Sequence, residues 1–395
     1  MLKGKTVVLG VCGSIAAYKI ANLASMLVKL NADVHVIMTQ NATNFINPIT
    51  FETLTNNKCI VDTFDRNFEF SVMHVSLAKA ADVFMVAPAS ANVLGKVASG
   101  IADDMLTTTL MASRAPIIFA PAMNTGMYEN KIVQDNIHKL KSFSYEVIEP
   151  DSGFLACKDI GKGKMPDPEI LLEYIIQTIA YEKDLKGKKI LVSAGATKEA
   201  IDPVRYITNH SSGKMGYAIA CAAARRGANV TLISAKANLK TPLFLKKIDV
   251  VSAADMKECI QNEFDSCDAL IMAAAVADYK PKDVADHKIK KSEDDLSIKL
   301  CRTDDILATI ATQKKSQFVC GFSMETENLV ENSKKKLVKK NLDMIAANNL
   351  NQEGAGFEVD TNVITLITKD DITRLPIMSK EEVAHKILDR IKENI

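Results

Sequence analysis

The sequence predicts an α/β protein of two consecutive domains, the first built on a doubly wound parallel sheet and the second on a mixed sheet. Three observations predict it. In the first half the apolar runs TVVLGV, DVHVIM, VFMVAP and IIFAPA alternate with helix-like stretches. Runs without period-two alternation are strands covered on both faces, which means parallel pairing through helical crossovers. The opening segment LKGKTVVLG is echoed by LKGKKILVS from Leu185 to Ser193, a weak internal repeat that marks a second beginning. Finally, 395 residues, 47% hydrophobic and 25% charged, exceed what one core usually organises.

In chain order, the first strand leads into a helix from Ala16 to Leu30, and the domain closes with a helix from Glu169 to Tyr181. The polar segment EKDLKGKK then separates residues 1–185 from residues 186–395. The second domain reads as ILVSAG, a long polar loop, a helix from Gly213 to Arg226, NVTLIS, KKIDVVS, a helix and ALIMAAA. Beyond Pro281 the alternation gives way to a lysine-rich loop, a short strand pair and VITLIT, which makes the second sheet mixed.

A formal net charge of +1 gives no sequence-independent attraction to nucleic acid, and the apolar runs are too short to span a membrane. The N-terminus has no secretory apolar region or cleavage site, so a cytoplasmic protein is expected. The cysteines at positions 12, 59, 157, 221, 259, 267, 301 and 320 include no pair at CxxC spacing. A disulfide framework or zinc cage is disfavoured, and most of them read as small buried apolar residues. Cys157 is set apart by its glycine- and lysine-rich surroundings.

The turn after the first strand, Gly10 to Ala17, opens a helix with small residues around Gly13 and Ser14, where free N–H groups favour a phosphate. Its spacing is not GxGxxG, and GxxxxGK[ST] is absent from the chain, so ordinary dinucleotide and P-loop sites are disfavoured. Thr39, Ser90 with Asn92, and Asn124 stand at the ends of three further strands. Open α/β sheets bind ligands at such strand ends, although each of these residues alone would serve equally as a helix cap. The segment Ser152 to Met165 lies between two ordered pieces and reads as a mobile lid.

Four ordered segments give the first domain a resemblance. GSIAAYK, MHVSLAKAAD with His74, PASANVLGKVASGIADDML and PAMNTGMY are similar to the flavodoxin-like flavoprotein family of homo-oligomeric cysteine decarboxylases. That family includes phosphopantothenoylcysteine decarboxylases and the decarboxylases of C-terminal peptide cysteines. Tyr128 stands where the family has Trp, and Lys164 where an Arg is expected, which keeps charge but not bidentate phosphate binding. The resemblance implies an FMN site shared between subunits and formed in part by Gly13, Ser14, Thr39, Ser90 and Asn92. It also implies that His74 acts in the flavin-dependent step, that Asn124 binds the substrate carboxylate, and that Cys157 protonates the enethiolate from a clamp whose glycines let it close. The chemistry asks for these parts: oxidation of the thiol to a thioaldehyde lets the adjacent carboxylate leave, after which hydride and a proton must return.

In the second domain Ser211, Ser212 and Gly213 again open a helix, a place for a phosphate or simply a cap. Asp278 follows a strand of small residues and suits a metal-binding carboxylate. Lys336 and Lys340 share one helical face, as do Lys335 and Lys339. The segments DPVRYITNHSSGKMG, AAAVADY, KIKK, GFSMET and KKNLDMIAANN occur in the order found in phosphopantothenate–cysteine ligases, and the whole chain resembles the bifunctional proteins of bacterial coenzyme A synthesis. The resemblance implies activation of 4'-phosphopantothenate by CTP to an acyl-cytidylate, followed by attack of cysteine and loss of CMP. Asn209 and Arg205 would hold the acyl-cytidylate and substrate, and Lys288 would assist its formation. Asp278 would bind Mg2+ or Mn2+, while Ala273, Ala274, Ala275, Thr303, Asp304, Asp305, Ile306, Phe322, Lys336 and Lys340 would form the CTP pocket. Trimeric contacts between decarboxylase domains and dimeric contacts between ligase domains are implied as well.

Three other readings are weaker. A peptide-cysteine decarboxylase is opposed by the lysine-bearing clamp and the attached second domain. A binding subunit without chemistry would be expected to lack His74 or Cys157, and both are present. A nicotinamide dehydrogenase lacks its glycine spacing and a ribose-binding acid.

Overall fold

The computed structural model describes residues 1–64, 73–155, 158–291, 296–325, 327–349 and 359–395. They form two compact units, Met1–Tyr181 and Glu182–Ile395.

In the first unit β1 (Thr6–Val11) passes through a 3-10 turn at Ile15–Ala17 into α1 (Tyr18–Lys29) and then β2 (Asp33–Met38). There follow α2 (Pro48–Thr55), α3 (Met73–Ala80), β3 (Val83–Ala89), α4 (Ala91–Ala98), α5 (Met105–Ala112) and β4 (Ile117–Pro121). The unit closes with α6 (Thr125–Tyr128), α7 (Lys131–Ser142), β5 (Glu146–Val147), β6 (Asp151–Phe154), β7 (Ile160–Lys164) and α8 (Pro168–Ile179). The main sheet is parallel in the order β2-β1-β3-β4-β5, which is flavodoxin-like, and the order reverses between β1 and β3.

The continuous apolar run of β1 feeds two cores. Val7, Leu9 and Val11 pack with Ile20, Leu23 and Leu27 of α1, whereas Val8 packs with Val93 and Leu94 of α4 and Leu106 of α5. Sequence expectation and structure differ at element ends. The first helix starts at Tyr18 rather than Ala16, because Ser14 Oγ accepts from Ala16 N at 3.3 Å and holds a tight turn there. The last begins at Pro168, whose fixed φ suits the first helical position. β2 is not apolar throughout: Asp33 is exposed and bonded to His35 at 3.1 Å, as the sheet edge allows.

The second unit runs β8 (Lys189–Ala194), β9 (Lys198–Ala200), β10 (Tyr206–Thr208), α9 (Lys214–Arg225), β11 (Asn229–Ala235), β12 (Lys246–Val250) and α10 (Ala253–Phe264). It continues through β13 (Ala269–Met272), β14 (Tyr279–Pro281), β15 (Leu300–Arg302), α11 (Ile306–Gln313), β16 (Phe318–Glu325), α12 (Leu329–Lys339) and β17 (Met344–Asn349). The last elements are β18 (Thr361–Asn362), β19 (Ile364–Thr368), β20 (Ile372–Arg374), β21 (Met378–Ser379) and α13 (Lys380–Lys392). The large sheet has the order β12-β11-β8-β13-β16-β17-β19-β20 and is parallel as far as β17 and antiparallel beyond it. The mixed character lies where VITLIT was expected to bring it. Six of its strands repeat the dinucleotide-fold order, with β8 central.

One face is packed by α9 and α13, with Val383, Ile387 and Leu388 in one cluster with Ile219 and Ala223. α9 stops at Arg225 where Gly227, at φ +91, turns the chain, and Arg226 reaches across the unit to Asp184 through Nε at 2.8 Å and Nη2 at 2.7 Å, and to Asp389 through Nη1 at 2.8 Å. The guanidinium holds the Asp184 carboxyl down at about 2. An ion pair this enclosed is best satisfied by a planar fork that meets both oxygens of one carboxylate.

Candidate active sites

In the first unit the five residues expected to hold FMN stand where a strand ends and the chain turns toward a helix. Ser90 caps α4, its Oγ accepting from Val93 N at 3.4 Å, and Asn92 lies exposed in the first turn of that helix. A Cβ on Gly13 would fall 2.7 Å from Asn41 Cβ, so the turns after β1 and β2 approach each other at a position only glycine permits. Thr39 behaves differently from the serines. It begins a 3-10 turn without capping it, and its hydroxyl oxygen is buried with no partner among the described residues. An unsatisfied buried hydroxyl costs about 1–3 kcal/mol, so this group fits a ligand that supplies the missing bond. These residues therefore fit the phosphate of a flavin nucleotide at the carboxyl ends of parallel strands.

The cysteine beside them does not act there. Burial pushes the Cys12 thiol up to about 12, so it is a packed apolar residue. Cys59 and Cys320 are likewise buried, whereas Cys221, Cys259, Cys267 and Cys301 are only partly so.

His74 is the second residue of α3 and is half-buried, next to Met73, which packs against the core containing Cys12, Val93 and Tyr128. Asn124 caps α6, Oδ1 accepting from Gly126 N at 2.8 Å, while Nδ2 donates to Asp159 Oδ2 at 2.8 Å. The amide assigned to the substrate carboxylate thus already faces a carboxylate.

The expected lid is an antiparallel hairpin of β6 and β7 that lies on the β4–α6 turn. Met123 N donates to Gly163 O at 3.1 Å. Gly163 sits at φ +143, and a Cβ there would overlap the Met123 carbonyl oxygen. Its neighbour Gly161 would bring a Cβ within 2.5 Å of Thr125 Oγ1. Lys162 pairs with Glu149 at 2.8 Å and lies 5.8 Å from the Tyr128 ring centroid, a cation–π contact at the Trp-replacing position. Lys164 is exposed. Cys157, between β6 and β7 in sequence, is outside the described residues.

In the second unit the chain beyond β13 forms a backbone trough. β13 ends at Met272, so Ala273–Ala275 belong to the following loop and not to the strand that the sequence suggested, while Asp278 lies past the strand as expected. Three side chains hold that loop open: Ser193 Oγ accepts from Ala274 N at 3.2 Å, Thr197 Oγ1 accepts from Ala277 N at 3.0 Å, and Asn209 Nδ2 donates to Val276 O at 3.1 Å. Gly213 caps α9 at φ +77.

Two cavities meet at this trough. One of about 500 Å³ is lined by Asn209, Ser211 to Gly213, Ala273 to Ala275 and Phe322. The other, of about 490 Å³, is lined by Thr303 to Ile306 and Lys340. Asp278 and Phe322 face both.

In the second cavity Asp304 is paired with Lys257 at 2.7 Å and Asp305 with Lys340 at 3.1 Å. The Asp278 carboxylate has no such partner among the described residues. They include no cluster of three or more His, Cys, Asp or Glu placed to hold a metal. A single carboxylate fits Mg2+ that takes its other ligands from phosphates and water.

Three expected site residues do not line these cavities. Lys336 is exposed on α12, beside a Lys335–Glu331 pair at 2.7 Å, and Lys340 caps the helix end, its N–H donating to Lys336 O at 3.0 Å so that the two stand one turn apart on the same face. Lys288 is exposed in the loop after β14, and Arg205 is bonded to Asp202 and to Ile289 O.

The larger cavity also has polar walls that the sequence did not single out. Lys380, 7% exposed, donates to Val359 O, and burial pulls its ammonium below the ordinary lysine range. Asn348, 5% exposed, has a buried Oδ1 with no partner among the described residues. Lys380 follows Ser379 in a capping box and reads as a helix start, and Asn348 lies next to the end of an apolar strand, so neither carries a local signal.

Comparison with known proteins agrees with this division. A flavoprotein family model matches residues 1–180, and the DNA/pantothenate metabolism flavoprotein C-terminal domain matches residues 185–395. The chain is 47% identical over 395 residues to the coenzyme A biosynthesis bifunctional protein CoaBC of Bacillus subtilis, covering 99% of this chain and 97% of that one. It is 44% identical over 391 residues to the protein of that name from Borreliella burgdorferi, covering 98% and 99%. With that of Escherichia coli K12 it shares 42% over 394 residues, covering 99% and 97%. A solved C-terminal domain of a CoaBC protein is 43% identical and covers 54% of this chain and 97% of that one, at a TM-score of 0.47.

Proposed function

The chain belongs to the family of coenzyme A biosynthesis bifunctional proteins, and from that membership we propose how its residues divide two consecutive reactions. The second unit is a phosphopantothenate–cysteine ligase, and the first is a phosphopantothenoylcysteine decarboxylase. The ligase product is the decarboxylase substrate.

In the second unit the nucleotide is CTP. The carboxylate of 4'-phosphopantothenate attacks its α-phosphorus, pyrophosphate leaves, and the amine of cysteine then displaces CMP from the acyl-cytidylate. Asp278 would hold Mg2+ or Mn2+, which would supply positive charge to offset the triphosphate, and Lys340, Lys336 and Lys288 spread the charge that develops. Asn209 hydrogen-bonds the acyl group as a neutral donor that cannot itself attack the activated carbonyl. Arg205 supports the same site. What supports this assignment most is that segments far apart in sequence, Asn209, Ala273–Ala275, Thr303–Ile306 and Lys340, converge with Asp278 and Phe322 on two adjoining cavities.

In the first unit Gly13, Ser14, Thr39, Ser90 and Asn92 hold the phosphate end of FMN at the strand ends. When bound, the flavin supplies a two-electron acceptor and donor for the cysteinyl thiol, which makes loss of the neighbouring carboxylate possible. Asn124 orients that carboxylate through Nδ2, His74 acts in the flavin-dependent step, and Cys157 returns the proton. The hairpin of β6 and β7 closes over the bound substrate. The working protein is a cytoplasmic homo-oligomer with trimeric decarboxylase contacts and dimeric ligase contacts. No helix among the described residues is long and apolar enough to cross a membrane.

The flavin half is tested by the spectrum of the purified protein. It is expected to be yellow with bound FMN, and phosphopantothenoylcysteine added without oxygen should bleach it transiently, before the hydride returns to the product. His74→Asn should keep the colour and bleach at least about 100-fold more slowly. A colourless protein that ignores added FMN would remove the flavin assignment, and unaltered bleaching in the variant would remove the role of His74.

A further inference from the structure

The turn after β9 is built on a carboxylate with no role yet. Asp202 is 2% exposed, and five N–H groups converge on it. Oδ1 accepts from Val204 N and from Arg205 N, both at 2.8 Å. Oδ2 accepts from Arg205 Nε at 3.0 Å, from Arg205 Nη2, and from Ile289 N at 3.1 Å. Arg205 Nη2 also donates to Ile289 O at 2.9 Å, and Ala285 N donates to Ile201 O at 3.1 Å. Together these bonds tie the lysine-rich loop to the β9–β10 turn.

The turn alone does not require a charge. An Asn or Ser accepts the same two local N–H groups. A carboxylate is needed for the other oxygen, which accepts from a guanidinium and from a backbone amide 87 residues away. The Arg205 guanidinium beside it, with the converging backbone N–H groups, holds the Asp202 carboxyl well below the usual range. A neutral amide in its place would present N–H to N–H whichever way it turned.

Ile289 is the next residue after Lys288. We propose that Asp202 is a positioning residue for ligation, fixing the backbone at Ile289 together with Arg205 and so setting where Lys288 meets the charge that develops as the cytidylyl group is transferred. The proposal rests on the role given to Lys288 above. It also gives Arg205 a definite function away from the cavity wall.

The test uses the full chain and compares wild type with Asp202→Asn, Lys288→Ala and the double variant. Ligation kcat and KM are measured with CTP, 4'-phosphopantothenate and cysteine, and decarboxylation of supplied phosphopantothenoylcysteine reports on the other unit. Asp202→Asn should lower ligation kcat about 100-fold, as misplacement of a catalytic group does, with little change in KM for cysteine and none in decarboxylation. Lys288→Ala should fall comparably, and the double variant should be no slower than the slower single variant. Ile289→Pro, which removes the loop N–H and leaves Asp202 and Arg205 in place, should reproduce the kcat loss even if Asp202→Asn folds poorly.

Losses that multiply in the double variant would overturn the proposal, because Asp202 would then act independently of Lys288. Wild-type ligation by Ile289→Pro, or by Lys288→Ala, would overturn it as well. A wild-type chain that makes no phosphopantothenoylcysteine would overturn the function itself, a different result from any of these.

Discussion

Asn209→Ala is expected to end ligation while leaving decarboxylation at its wild-type rate. The side chain lies at the edge of the trough, with Nδ2 donating to Val276 O at 3.1 Å and reaching Ala275 O at 3.5 Å. Truncation removes the donor assigned to the acyl group and also one of the ties that hold Ala273–Ala275 open. Loss of one preorganised donor at a developing oxyanion lowers kcat by about 100- to 1000-fold, so CMP release should become hard to detect. The variant should still release CO2 from supplied phosphopantothenoylcysteine, because that chemistry belongs to a separate compact unit. Loss of both rates together would contradict the assignment of one reaction to each unit.

Gly163→Ala should have the opposite effect, a fall of about 100-fold in CO2 release with ligation unchanged. Two independent constraints act on that residue. Its φ of +143 is strained for any side chain, and the added methyl would occupy the place of the Met123 carbonyl oxygen. The hairpin could then no longer accept from Met123 N at the turn whose Asn124 is the proposed carboxylate ligand. Assay of phosphopantothenoylcysteine decarboxylation by the purified variant checks this directly. An unchanged rate would show that the docked hairpin has no part in the reaction.

The parallel cores were legible because burial on both faces writes itself into the sequence. Val7 and Val8 point into different cores, so the run that carries them has no polar alternation. The polar strand ends were legible for the complementary reason, since Ser90 and Asn124 interrupt apolar runs where a helix must start. Boundaries were less so, because tight turns such as Ile15–Ala17 satisfy the same N–H groups that a longer helix would.

What stayed hidden was the pairing of distant segments. β9 and β10 have three residues each, too few to show a period, and the hairpin of β6 and β7 is glycine- and lysine-rich, so it read as a lid. Asp202 was visible only as part of a motif, since its partner Ile289 lies in another segment. Lys380 reaches the larger cavity only after the antiparallel additions to the sheet have folded back beside it, and Asn348 only once β17 has paired with β16.

The most direct test of the account is mass spectrometry of the products formed by the full chain from 4'-phosphopantothenate, cysteine and CTP. CMP and pyrophosphate are expected, with a transient phosphopantothenoylcysteine and final conversion to 4'-phosphopantetheine with release of CO2. Formation of neither phosphopantothenoylcysteine from the first mixture nor 4'-phosphopantetheine from supplied phosphopantothenoylcysteine would contradict it.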